Sequence, residues 1–140
     1  MTGLAPLRVG IDIGGTKCAA CIGRAEAGHI KILDKRRFAT PDGPESALVA
    51  LTAGLEALLE AHPEVVLSAV GVSCGGPLDS TRGLILSPPN LPGWDRVDVV
   101  TPFRERFGVP TSLQNDANAC AVAEWQWGAG RGARCRCADR

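Results

Sequence analysis

The sequence predicts an α/β fold, in which a mixed sheet is covered by helices and its last strands run parallel. Three observations carry this expectation. Three apolar segments follow one another at the start, Leu7 to Ile11, Cys18 to Ile22 and Ile30 to Phe38, with only short breaks between them. After them, stretches of helical period alternate with short β-branched runs, the pattern that places helices on a partly parallel sheet. The breaks are filled with Gly, Pro, Asn and Asp, which punctuate elements. The predicted order is β-β-β-α-β-α-β-α in a single domain.

The first two strands form a hairpin about Asp12-Ile13-Gly14-Gly15-Thr16-Lys17. Pro41-Asp42-Gly43-Pro44 is a loop and a helix start. From Glu45 to Ala61, Leu48, Leu51, Leu55, Leu58 and Leu59 recur at helical spacing and predict one buried stripe. His62-Pro63 ends this helix, and His62 is a helix-end residue suited to the negative end of the dipole. His29 falls in a turn, and neither histidine is assigned chemistry. Val65 to Ser73 is apolar with little alternation, so a strand buried on both faces is expected. Gly75-Gly76-Pro77 breaks it, and Gly83 to Leu86 is a short strand. Ser87 to Gly93 is a Pro-rich loop ending near Trp94. Asp98 to Phe107 reads as a helix with Val99, Val100, Phe103 and Phe107 on its apolar side. Val109 to Leu113 is a strand. Asp116 to Trp127 is a helix whose small residues Ala119, Cys120 and Ala123 pack closely. Gly128 to Arg140 has no apolar period.

At 140 residues the chain is about one domain and long enough to bury a core. Its formal net charge is zero, so no basic footprint argues for nucleic acid, and Lys35-Arg36-Arg37 is a solvated strand end. No apolar run approaches the roughly 20 residues that cross a bilayer, and Met1 to Leu7 shows no secretory signal. No membrane partner is expected, and the location is expected to be cytoplasmic. Four of the six cysteines, Cys18, Cys21, Cys74 and Cys120, sit among small apolar residues and read as reduced core thiols. Cys18-x-x-Cys21 has metal-like spacing, but no second pair follows, and residues three apart on a strand face opposite ways.

Three stretches fall at the carboxyl ends of predicted strands, where ligands of open α/β sheets bind. In Asp12 to Lys17, a carboxylate at a strand end is followed by two glycines that expose backbone N–H groups, then by a hydroxyl and an ammonium. This suits a polyphosphate with a bound divalent metal, although a plain hairpin turn has the same look. It is neither a Walker A loop nor G-x-G-x-x-G. The second stretch is Cys74-Gly75-Gly76-Pro77. The third is Gln114-Asn115-Asp116, where the side chains read either as an Asx helix cap or as a general base with an orienting amide beside it. Asn90 sits in a loop stiffened by three prolines, as a sugar-hydroxyl contact or an ordinary turn residue. Trp94 either stacks on a sugar or anchors the loop.

Together, Asp12 to Lys17, Gly71 to Asp79 (GVSCGGPLD), Pro89 to Trp94 (PNLPGW), Asn115 to Ala119 (NDANA), Ala123 to Trp125 (AEW) and Gly128 to Gly132 (GAGRG) resemble the ROK family of bacterial repressors, open reading frames and sugar kinases. The resemblance runs from Leu7 to about Gly132. It implies a ribonuclease H-like, actin-type ATPase fold and an ATP- and magnesium-dependent kinase of hexoses or N-acetylated amino sugars, glucokinase-like. Carried over by position, Asp12 would hold magnesium through water. Gly14, Gly15, Thr16 and Lys17 would form the first phosphate loop. Gly75, Gly76, Asn90, Asn115 and Asp116 would line the sugar site, with Asp116 as the catalytic base. Sugar and ATP are the implied partners, with a homodimer in a full-length counterpart.

Kinases of the family continue past Gly-Arg-Gly into a second half bearing another phosphate loop, the adenosine pocket and often zinc. These 140 residues carry none of that pattern, so zinc is not expected in them. Residues 1–132 are expected to form the amino-terminal ATPase-like domain and 133–140 a disordered or aberrant tail. With the carboxyl-terminal domain absent, the chain would be an inactive half. The alternative implied by the family is the sugar-sensing module of a repressor without its DNA-binding domain. About six residues precede the first strand, too few for a helix-turn-helix, which favours kinase ancestry. A noncatalytic remnant that folds with a partner is a third expectation.

Overall fold

The structure, a computed structural model, describes residues 7–26, 29–63 and 66–120. Its elements in chain order are β1 (Leu7–Ile13), β2 (Lys17–Glu26), β3 (His29–Ala39), α1 (Pro44–Ala61), β4 (Leu67–Cys74), β5 (Leu78–Asp79), β6 (Leu84–Ile85), β7 (Val97–Asp98), α2 (Thr101–Phe107) and β8 (Thr111–Asn115). A further helix, α3, opens at Asp116 and is described over residues 116–120. A five-stranded sheet has the order β3-β2-β1-β4-β8, and β5, β6 and β7 form a small antiparallel sheet.

β1 and β2 pair antiparallel from Leu7↔Arg24 to Ile13↔Cys18, and β3 continues the meander. β4 then joins the other edge of β1 in parallel, and β8 joins β4 in parallel. A parallel neighbour needs a crossover, and α1 supplies the one between β3 and β4. Pro44 stands in the first helical turn, where its missing N–H costs nothing. Ala47, Leu51, Leu55 and Leu58 of α1 are fully buried, with Leu48 and Leu59 packed at the edge. They cover the sheet face made by Val9, Ile11 and Ile13 of β1, Cys18, Ala20 and Ile22 of β2, and Val70, Val72 and Cys74 of β4. α2 ends at Gly108, whose φ of +67° closes the helix in the left-handed region that glycine adopts without strain.

Several expectations need correction. β4 is buried on one face only: Val70, Val72 and Cys74 are buried, whereas Gly71 is exposed and Ser73 half-buried. Its apolar run lacked alternation because the small residues Ala69, Gly71 and Ser73 occupy the other face. The helix expected from Asp98 starts at Thr101. Val97 pairs with Ile85, which draws Val97–Asp98 into β7, and the Asp98 carboxylate accepts the N–H groups of Val100 and Thr101, both at 2.9 Å. Each strand two residues long was missed or only partly seen, since no period shows in so short a run. The last strand is displaced from Val109–Leu113 to Thr111–Asn115. His29 begins β3 rather than standing in a turn. His62 is the C-cap of α1, and its ring Nε2 lies 3.3 Å from Asp34 of β3. Of the four thiols expected in the core, Cys18 and Cys74 are buried, Cys21 is half-buried and Cys120 exposed. Ala119 is likewise half-buried. Ala123 and the tail 133–140 lie outside the described residues. Among the described residues, no helix is long and apolar enough to cross a membrane.

Candidate functional site

Parallel pairing of β1, β4 and β8 puts their carboxyl ends side by side, with Ile13 opposite Cys74 and Cys74 opposite Asn115. The loops leaving these three strands therefore form one edge. They are Gly14 to Lys17, Gly75 to Pro77, and the start of α3 at Asp116.

The Gly14 to Lys17 segment is geometrically a β-hairpin connection. Its Gly14 N–H donates to the Lys17 carbonyl at 3.1 Å, so that amide, expected to face a phosphate, is taken by the turn. A Cβ on Gly14 would stand 2.7 Å from the same carbonyl, which explains the glycine. The N–H groups of Gly15 and Thr16 donate to no group among the described residues. Thr40, just past β3, clamps the turn: its hydroxyl donates to the Gly14 carbonyl at 2.6 Å and its N–H to the Thr16 carbonyl at 2.9 Å. Thr40 carried no signal in the sequence, because only the β2–β3 register brings it here.

Asn90 reaches this turn from the other side. A Cβ on Gly15 would fall 2.6 Å from the Asn90 carbonyl oxygen and 3.1 Å from its Nδ2. The loop that presents Asn90 is closed by the Ser87 N–H donating to the Trp94 carbonyl at 2.7 Å and the Ser87 hydroxyl donating to Asp95 at 3.0 Å. Trp94 is 2% exposed and lies in the core beside Leu91. Of its two readings, the structure holds the anchor, and a fully buried indole has no face to offer a sugar.

At β8, Asn115 Oδ1 accepts the Ala117 N–H at 2.9 Å, which caps α3. Asp116 Oδ1 also meets that N–H, at 2.8 Å. Asp116 Oδ2 meets no donor among the described residues and faces the second loop, 3.9 Å from where a Gly75 Cβ would be. Asn115 Nδ2 lies 3.4 Å from the corresponding point on Gly76. Capping and site geometry thus coexist: Asn115 uses its oxygen for the helix and turns its amide nitrogen to Gly76.

Asp12 lies near the end of β1 with an exposed side chain. Ser73, its register partner on β4, donates its hydroxyl to Asp12 Oδ1 at 3.1 Å. Asp12 and Lys17 line a cavity of about 1010 Å³ on the sheet face opposite α1, together with Arg37, Ser73, Gln114 and Ala119. Asn90, Asn115, Asp116, Gly75 and Gly76 do not line it and stand at the strand-end loops instead.

Cys74 is buried between the two halves of the site. Burial, reinforced by the Asp116 and Asp12 carboxylates and by Cys18, pushes its thiol from 9.0 up to about 12. Near neutral pH it is held as the thiol. Below pH 9 both folded and unfolded chains hold this proton. Between pH 9 and 12 the unfolded chain releases it first, so the contribution to stability is lost as pH rises. Urea midpoints are expected to fall from pH 8 to pH 10.5 by less in Cys74→Ala than in the unaltered protein. Equal falls would contradict the burial argument.

Among the described residues, no cluster of three or more His, Cys, Asp or Glu side chains is placed to hold a metal. Magnesium keeps several waters and takes one or two carboxylates plus substrate phosphates. Asp12, exposed and with one oxygen already held by Ser73, is a donor of that kind.

Comparison with known proteins adds the following. The model of the ROK family matches residues 8–136. The chain is 34% identical over 128 residues to a glucokinase of Streptomyces coelicolor, covering 91% of this chain and 38% of that protein. It is 38% identical over 119 residues to an N-acetylmannosamine kinase of Escherichia coli, covering 83% of this chain and 38% of that protein. Among solved structures, a ROK family glucokinase from Streptomyces griseus, in complex with glucose and AMPPNP, superposes with a TM-score of 0.76. The identity is 36%, over 90% of this chain and 38% of that one. The chain thus spans about 38% of the length of the curated relatives named here.

Proposed function

Because the chain belongs to the ROK family and has its actin-type ATPase fold, we propose that it forms the phosphate-loop and sugar-contact half of an ATP-dependent hexose kinase. The observation that carries the reading is the meeting of the three strand-end loops, with Asn90 packed on the Gly15 turn and Asp116 Oδ2 facing Gly75.

In this reading the Gly15 and Thr16 N–H groups and the Lys17 ammonium receive phosphate oxygens. Asp12 holds the water shell of magnesium, which when bound neutralises phosphate charge. Asn90, Asn115, Gly75 and Gly76 position the sugar. Asp116 Oδ2 takes the proton of the sugar hydroxyl as its oxygen bonds to the γ-phosphorus, and the bond from that phosphorus to the ADP oxygen breaks. Positioning and charge neutralisation supply most of the catalysis of such a transfer. The carboxylates Asp12 and Asp116 favour this over a sugar-sensing module, which has no proton to move. The relatives act on different sugars, so the hexose is left as a class.

The chain spans about 38% of the length of its kinase relatives. Turnover by these 140 residues alone is therefore expected to be undetectable, and binding is the primary readout. Calorimetric titration with ATP should show saturable binding that requires Mg2+. Gly15→Ala should weaken it about tenfold, because a Cβ 2.6 Å from the Asn90 carbonyl forces the turn and the loop apart. ATP binding absent in the unaltered protein, or indifferent to Gly15→Ala, would count against the reading.

A further inference from the structure

On the open face of the sheet, one row of side chains crosses all five strands: Arg37, Ala19, Asp12, Ser73 and Gln114, each the register partner of the next. Asp12 is the sole acid of this row, and Lys17 lines the same cavity. An exposed carboxylate on a strand ordinarily rotates about χ1, and a lysine within the same cavity is its natural ion-pair partner. No ion pair joins Asp12 to Lys17 among the described residues. Instead the Ser73 hydroxyl donates to Asp12 Oδ1 at 3.1 Å. Its other acceptor, the Ile11 carbonyl, is at 3.5 Å, so the shorter bond goes to the charged oxygen.

We propose that Ser73 is a positioning residue that tethers the Asp12 carboxylate by one oxygen, keeping the other for the hydrated metal and leaving Lys17 free for phosphate. The proposal rests on the phosphate-and-metal reading above, but the tether is a property of this chain's own side chains. Three features make the arrangement specific. The donor comes from the neighbouring parallel strand, so its Cα position is set by the register Asp12↔Ser73 rather than by a loop. Gly10 and Gly71 occupy the preceding register pair on the same face, so no side chain from that pair crowds the carboxylate. On the far side, Gln114 Oε1 is occupied by the Asn115 N–H at 2.9 Å and the Asn118 amide at 3.5 Å, so it does not draw the serine hydroxyl away.

The test compares the intact protein with Ser73→Ala and Ser73→Thr by two measurements. The first is the χ1 rotamer of Asp12, from NMR scalar couplings without any ligand. The second is the affinity for Mn2+ in the presence of ATP, by electron paramagnetic resonance. Expected are a single Asp12 rotamer in the unaltered protein, averaged couplings in Ser73→Ala with Mn2+·ATP affinity reduced about 3- to 10-fold, and recovery of both in Ser73→Thr, which keeps a hydroxyl. A merely structural role for Ser73 would move thermal stability but not the Asp12 couplings. Couplings unchanged in Ser73→Ala, or affinity unchanged despite averaged couplings, would overturn the proposal. If the couplings respond as expected while the unaltered protein binds no Mn2+·ATP, it is the phosphate-and-metal reading that fails, and the positioning role falls with it.

Discussion

Asp116→Asn is expected to slow phosphoryl transfer to the sugar by about 10²–10⁴-fold, the usual weight of a general base, with sugar affinity nearly unchanged. The substitution is close to isosteric. Asparagine keeps an Oδ1 for the Ala117 N–H, and Asn115 still caps α3 through its own oxygen, so the helix start is preserved. What is lost is the second carboxylate oxygen, which faces Gly75 and meets no donor among the described residues. An amide there contacts a hydroxyl but takes no proton from it. The measurement needs a chain long enough to close the cleft, such as residues 1–132 joined to the remaining length of the Streptomyces coelicolor relative. A collapse of sugar affinity with turnover intact would remove Asp116 from the role of base and make it a binding residue.

Trp94→Ala is expected to cost about 3–5 kcal/mol of stability, the range for removing a large buried aromatic side chain. The indole is 2% exposed and sits in the single core shared by the sheet, α1 and α2. It also anchors the loop whose two ends are tied by the Ser87 N–H and the Trp94 carbonyl. Losing the anchor frees Asn90 from the Gly15 turn, so ATP binding should weaken along with stability. Urea denaturation and calorimetric titration on the same preparation would show both. Trp94→Phe, which refills part of the volume, should recover most of the binding and part of the stability. A loss below about 1 kcal/mol in Trp94→Ala would mean that the loop is held by its prolines and hydrogen bonds instead.

Much of the candidate site's layout could be read from local chemistry. The Gly-Gly pair after a strand, the Gly75-Gly76-Pro77 break and the Asn115-Asp116 helix start each announced a strand end, and parallel pairing then makes strand ends meet. Trp94 in a proline-stiffened loop was open between two uses, and only its burial decides. Thr40 and Ser73 gave no warning, since a lone hydroxyl beside a strand is unremarkable until the register names its neighbour.

Periodicity and turn chemistry were enough to specify the α/β class, the helix expected over Glu45 to Ala61, the hairpin at Gly14 to Lys17 and the placement of acids at strand ends. These are contacts between residues close in the chain, where spacing translates directly into geometry. The tertiary structure decided everything that depends on register between distant strands. It showed that Gly14 spends its amide on its own turn, that Asn115 caps while Asp116 Oδ2 faces Gly75, that β4 is buried on one face only, and that the Ser73 hydroxyl donates to Asp12. A hydrogen bond between residues 61 positions apart has no signature in local sequence. It exists because two parallel strands align to within one residue, and a slip of one would turn each side chain to the opposite face.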